Sequence, residues 1–292
     1  MDNAEFIKEI HDYIDQEYNQ FNEYQNIVLD VLHQFCLLCD KNEIFYTMAY
    51  GTMLGAVRDH GQIPWDYDID VFVPNSYRER LLSVLDTKLG DGFYYTYKTN
   101  LKNYPAPCLR ICKKGYTYMA LHVDVFFLVG TPESKLDRDK FVKNVNALSK
   151  TRMQKYVFYH LPPIKEVRIK RFYHILSGLK LMLITSKKLN RKEDRLFEMY
   201  KFEESSYCMA FTDDPITYPT SWFLEREIVK FGKLNVFVPK GYEGFLSKKF
   251  KSYSTYLSIK SRFREFMDMK AVVDERQKYF EDISVPLKLG RS

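Results

Sequence analysis

A chain of 292 residues, 46% hydrophobic and 28% charged, is ordinary globular material, and it holds no run of the roughly 18–20 apolar residues that a membrane-spanning helix needs. The net charge of +6 comes from 44 basic against 38 acidic residues; it suits anionic partners such as nucleotides, phosphoglycans or lipid headgroups and gives no indication of nucleic acid. Five cysteines, an odd number, read as reduced thiols and exclude a disulfide framework.

The acidic segment 1–20 lacks an apolar run followed by a small-residue cleavage site, so the expected location is the cytoplasm. Ile7, Ile10, Ile14, Ile27, Val31, Leu32 and Phe35 recur at helical spacing and predict one or two amphipathic helices between about residues 5 and 39. A β-prone run follows from Ile44 to Tyr50 and stops at Gly51, and a short helix is predicted from Thr52 to about Asp59, closed by Gly61.

From Asp66 to Val73 acids alternate with mostly apolar residues, which places Asp66, Asp68 and Asp70 on one face of a strand ended by Pro74. Residues 77–89 read as a helix with Leu81, Leu82, Leu85 and Leu89 as its apolar stripe. Strands are predicted at 93–97, 109–112 and 117–129, the last two flanking a Lys113-Lys114-Gly115 turn. In the last strand His122, Asp124 and Phe126 share a face.

Beyond about residue 130 the sequence turns basic and largely helical. The expected organisation is a catalytic core over 1–130 and a mainly helical region over 131–292, packed on the core and contributing to acceptor binding. Within that region, 166–188 has cationic flanks and an apolar centre; these suit an anionic membrane surface, but packing on the domain is the preferred reading.

The chemistry sits between Tyr50 and Val73. Three acids on one strand face raise each other's pKa unless a charge compensates them, and a divalent cation is the simplest compensation. Mg²⁺ takes one or two carboxylates together with substrate phosphate oxygens, so Asp68 and Asp70 form a candidate pair, with Asp124 the third carboxylate from a neighbouring strand. Gly51 and Thr52, between strand and helix, let a phosphate approach the backbone. Arg58 and Arg110 are candidate phosphate clamps, because guanidinium bonds phosphate in a fork.

The run G-T-M-L-G-A-V-R followed by G-Q-I-P-W-D-Y-D-I-D, with the later H-V-D-V-F-F, resembles the LicD/fukutin family. The resemblance implies an α+β fold of nucleotidyltransferase type, a mixed sheet flanked by helices with a mostly helical C-terminal region. It also implies transfer of phosphocholine, or of ribitol or glycerol phosphate, from a CDP-linked donor to a glycan. By the same resemblance Gly51 and Thr52 fall at the donor-phosphate turn, Asp68 and Asp70 at the metal pair for Mg²⁺ or Mn²⁺, and Asp124 at the third carboxylate, with Asp66 as a supporting neighbour. His122, in register with Asp124, reads as an acceptor base or, more commonly for a lone strand histidine, as a satisfied structural neighbour.

Tyr67 departs from the family's middle aspartate but points away from the metal face, and the segment Phe250 to Ser254 departs from a Tyr-Gly-Asp-Tyr-like stretch, which bears on acceptor choice. Two other functions share these residues. One is nucleotidyl transfer to a small hydroxylated acceptor, and the other is a glycan- or nucleotide-binding module without activity. The peripheral expectation is a contact at the inner face of a membrane, where a lipid-linked glycan acceptor would lie.

Overall fold

The computed structural model describes residues 23–160 and 181–254, apart from 64, 65, 67, 103, 117, 119, 120, 182, 213, 214, 251 and 252, together with 261, 264 and 267. The helical spacing at Ile7, Ile10 and Ile14, the side chains of Trp65 and Tyr67, and the centre of the 166–188 segment lie outside the described residues.

Helix α1 runs over 23–41 and buries Val28, Val31, Leu32, Phe35 and Cys39. Strand β1 is only Thr47–Met48, shorter than the β-prone run suggests. The chain leaves it at Tyr50, whose φ of 40° lies in the left-handed region, and enters α2 at Tyr50–Leu54. Gly51 therefore stands in the first turn of the helix and not before it. The helix widens to a π-helical turn at Gly55–Asp59 and is closed by His60 at φ 53°, so the left-handed position expected of Gly61 is taken by its neighbour.

Strand β2 is Ile69–Pro74, α3 is Arg78–Lys88, β3 is Phe93–Thr96 and β4 is Leu109–Lys113. Strand β5, His122–Gly130, is buried along its whole length, as a strand covered on both faces must be. It starts five residues later than the sequence suggests, so the link from β4 is longer than a tight hairpin.

Helices α4 (Lys135–His160) and α5 (Ser186–Met199) follow. The remaining chain carries β6 (Tyr207–Ala210), β7 (Tyr218–Pro219), β8 (Arg226–Phe231), β9 (Leu234–Pro239) and α6 (Tyr242–Phe250). The region past residue 130 is thus less purely helical than its composition suggests.

The main sheet has the order β1-β2-β5-β4-β3, with β2 and β5 parallel and the other neighbours antiparallel. Strand β6 pairs with Leu128–Gly130 of β5, beyond the stretch of β5 that β4 occupies, so the sheet runs across the division expected near residue 130. The fold is α+β, a mixed sheet flanked by helices.

Side chains alternate across the sheet, so Val71, Val73, Val125 and Phe127 build one face. Phe127 meets Phe197 of α5 there, with ring centroids 6.3 Å apart. A buried ionic link secures the same helix: Lys98 lies 2.8 Å from Glu193, which Arg152 of α4 approaches to 2.6 Å. On the other face Phe72 packs against Tyr50, Phe223 and Phe245, bringing α2 and α6 onto the sheet.

The β8–β9 hairpin buttresses β1. Arg226 lies 3.6 Å over the Phe237 ring and donates to the Tyr46 carbonyl at 3.1 Å, while Gly232 N–H donates to the His60 carbonyl at 2.6 Å. All five cysteines are buried free thiols, and burial pushes Cys36 and Cys208 up to about 12, which leaves them unreactive.

Gly130 marks a close approach. A Cβ there would fall 2.5 Å from the Lys201 carbonyl oxygen and closer still to Ser205 Oγ. Gly130→Ala is expected to destabilise the protein by about 1–3 kcal/mol, read as a lower urea midpoint at unchanged slope.

Candidate active site

The site is built from one row of the sheet. Asp70 of β2 is in register with Asp124 of β5, Asp124 with Arg110 of β4, and Arg110 with Thr96 of β3. Registered neighbours project to the same face, so two carboxylates and a guanidinium stand side by side. No demand of packing explains two acids on adjacent central strands.

Arg110 resolves half of the conflict. Its Nε lies 2.8 Å and its Nη2 3.4 Å from the two oxygens of Asp124, and its Nη1 donates to the Tyr118 carbonyl at 3.2 Å. His122 Nε2 is 3.3 Å from Asp124 Oδ1. Burial alone would raise the Asp124 carboxyl, but Arg110 and His122 outweigh it and hold the group below the usual carboxylate range.

Asp70 has the opposite environment. Burial, and then the charges of Asp68, Asp124 and Asp66, push its carboxyl well above the ordinary value, and Arg110 offsets only part of this. The repulsion expected among the acids is therefore present around Asp70 and already relieved at Asp124.

Hard oxygen donors crowded around an uncompensated carboxylate suit Mg²⁺ or Mn²⁺ in chemistry and in charge. Among the described residues Asp68 and Asp70 are in no ion pair, and Asp124 stands beside them with its oxygens engaged by Arg110 and His122. Among the described residues no three acid, histidine or cysteine side chains converge on a single ion position.

The other expected residues are placed as follows. Thr52 is buried, and its Oγ1 accepts the Asp70 backbone N–H at 2.8 Å, tying α2 to β2. Gly51 is where Asp66 passes: a Cβ would lie 2.9 Å from Asp66 Oδ2. Arg58, in the π-helical turn, forks onto Asp59 at 2.8 and 2.7 Å. The two arginines expected at the donor phosphate are thus each engaged with a carboxylate.

Residues 43–174 match the nucleotidyltransferase domain model of LicD/FKTN/FKRP. Over that stretch, a little under half of its length, the chain is similar to the LicD family. Among relatives, the lipopolysaccharide cholinephosphotransferase LicD of Haemophilus influenzae is 40% identical over 62 residues, covering 21% of this chain and 23% of that protein. The match spans about a quarter of that relative.

Asp66 and Asp68 precede β2, which begins at Ile69, so they are held by a loop and not by strand pairing. Two glutamines hold that loop. Gln62 Nε2 donates to the carbonyls of Asp66 and Asp68, both at 3.3 Å. Gln25 Nε2, from α1 and outside the LicD domain match, donates to the carbonyls of Ile63 at 3.0 Å and Asp66 at 2.7 Å. Gln62 lies inside the motif and was open to suspicion from sequence. Gln25 is 41 positions from Asp66, and no local signal links the two.

Replacing Thr52 by Val removes the acceptor for the Asp70 N–H at nearly constant volume. The expected loss is about 1–3 kcal/mol of stability in Thr52→Val and much less in Thr52→Ser, measured by chemical denaturation.

Proposed function

We propose that this chain transfers phosphocholine, or a related phospho-alcohol such as ribitol or glycerol phosphate, from a CDP-linked donor to a hydroxyl of a glycan, releasing CMP. The observation that carries the reading is the in-register pair Asp70 and Asp124, with Asp68 adjoining, inside the stretch similar to the LicD family. The cholinephosphotransferase named among the relatives supports the same reaction class.

Asp68 and Asp70, with Asp124 beside them, would hold a magnesium or manganese ion. When bound, that ion supplies neutralisation of the diphosphate charge. The protein's own groups do the rest. Arg110 keeps Asp124 ionised and fixes its orientation. Thr52 fixes the Asp70 backbone, and Gln25 and Gln62 fix the loop that carries Asp66 and Asp68.

The glycan hydroxyl attacks the β-phosphorus in line. A new phosphorus–oxygen bond forms as the bond to CMP breaks, and an ionised carboxylate of the cluster takes the hydroxyl proton. Such a transfer depends mainly on positioning and charge.

The test is CMP release from CDP-choline, CDP-ribitol and CDP-glycerol with Mg²⁺. One donor is expected to give CMP, and Asp70→Asn is expected to lower that rate by about 10²-fold or more with an unchanged thermal midpoint. Normal turnover in Asp70→Asn overturns the assignment. Release of pyrophosphate from a nucleoside triphosphate, with no CMP from any CDP-alcohol, replaces it with nucleotidyl transfer.

A further inference from the structure

With Arg58 forked onto Asp59 and Arg110 onto Asp124, both arginines expected at the donor phosphate have their charge matched within the protein. A diphosphate brings further negative charge to a site already rich in it. Helix α6, from outside the LicD domain match, supplies a cation that neither motif nor spacing marks.

Lys249 stands in the last turn of α6, with its Nζ 5.4 Å from the centroid of the Tyr50 ring. Tyr50 immediately precedes Gly51 and Thr52. Its ring packs on Phe72 at 4.9 Å and on Phe126 at 5.3 Å, the residues two positions beyond Asp70 and Asp124 on the same sheet face. Phe245, one turn before Lys249 on α6, also meets the Tyr50 ring, at 5.8 Å. The Tyr50 ring therefore touches α6 and Lys249 as well as the two phenylalanines that follow the acids along β2 and β5.

The neighbouring lysine differs. Lys248 donates to the Thr217 carbonyl at 2.7 Å and lies 5.2 Å from the Tyr218 ring centroid, so its ammonium already has an oxygen partner. Lys249 is partly buried and, among the described residues, meets a ring face and no carboxylate. An ammonium lying on a ring retains N–H donors for an anion. Its place at a helix C-terminus is favourable for any lysine and is sufficient for a merely structural role; the test below separates the two.

We propose that Lys249 is a diphosphate-binding residue of this site, contacting the donor beside the Tyr50 ring. The inference rests on the transfer reaction proposed above for the identity of the donor, and on geometry for the position of the anion.

The experiment is calorimetric titration of the full chain with CDP, with and without Mg²⁺, in wild type and in Lys249→Gln, Lys249→Arg and Lys248→Gln. Lys249→Gln is expected to weaken CDP binding about tenfold, as loss of a charge-assisted phosphate contact does. Lys249→Arg should recover most of the affinity, and Lys248→Gln should change it little. Thermal midpoints should stay level across the set.

Equal CDP affinity in wild type and Lys249→Gln overturns the proposal. So does an equal loss in Lys248→Gln, a loss tracked by a falling midpoint, or a wild type that binds no CDP. The two readings fail separately: Lys249-dependent CDP binding without CMP release from any CDP-alcohol upholds this contact and overturns the reaction, and CMP release with unchanged CDP affinity does the reverse.

Discussion

Two carboxylates standing in register on adjacent parallel strands repel each other, and much of what surrounds Asp70 and Asp124 answers that repulsion. Arg110, next in the same row, takes up the charge of one and leaves the other exposed to its acidic neighbours. The result is an asymmetric pair, one acid held ionised and the other strained by like charge. An acid cluster neutralised throughout by arginines would have no call for a metal or a diphosphate.

The architecture reads as support for that row. Tyr50 leaves β1 in a left-handed conformation so that α2 can turn over the sheet, where Thr52 meets the Asp70 backbone and Gly51 makes way for Asp66. The π-helical turn after α2 is braced from outside by the β8–β9 hairpin through Gly232 and His60. π-Helical turns often occur at functional sites, and here the turn sits between the Gly-Thr turn and the acidic loop.

What the sequence disclosed follows from the range of its signals. Alternation and motif spacing are local, so the placing of Asp70 and Asp124 on neighbouring strands was legible, as were α3, β3 and β4, whereas Asp68 proves to lie in the loop before β2. Strand register is not local: the fork of Arg110 onto Asp124 depends on which residues of β4 face β5, and the sequence left this arginine free for a phosphate. Gln25 and Lys249 reach the site from α1 and α6 through tertiary packing that no periodicity encodes. The run Val236 to Pro239 reads as a small strand and is one, in β9, but β6 to β8 were hidden by the basic, helix-like composition past residue 130; the pairing of β6 with β5 is fixed by the far end of a strand some 80 residues earlier, about the separation of Leu128 and Ala210.

That late strand has a practical consequence for anyone cutting the chain down. A fragment ended where the LicD match ends would lack β6, leaving the backbone groups of Leu128 to Gly130 open along one side, and would lack α5, leaving Phe127 without Phe197. An open strand edge next to a bared aromatic invites self-association. The segment that looks dispensable by family resemblance is the one that keeps the main sheet from sticking to copies of itself.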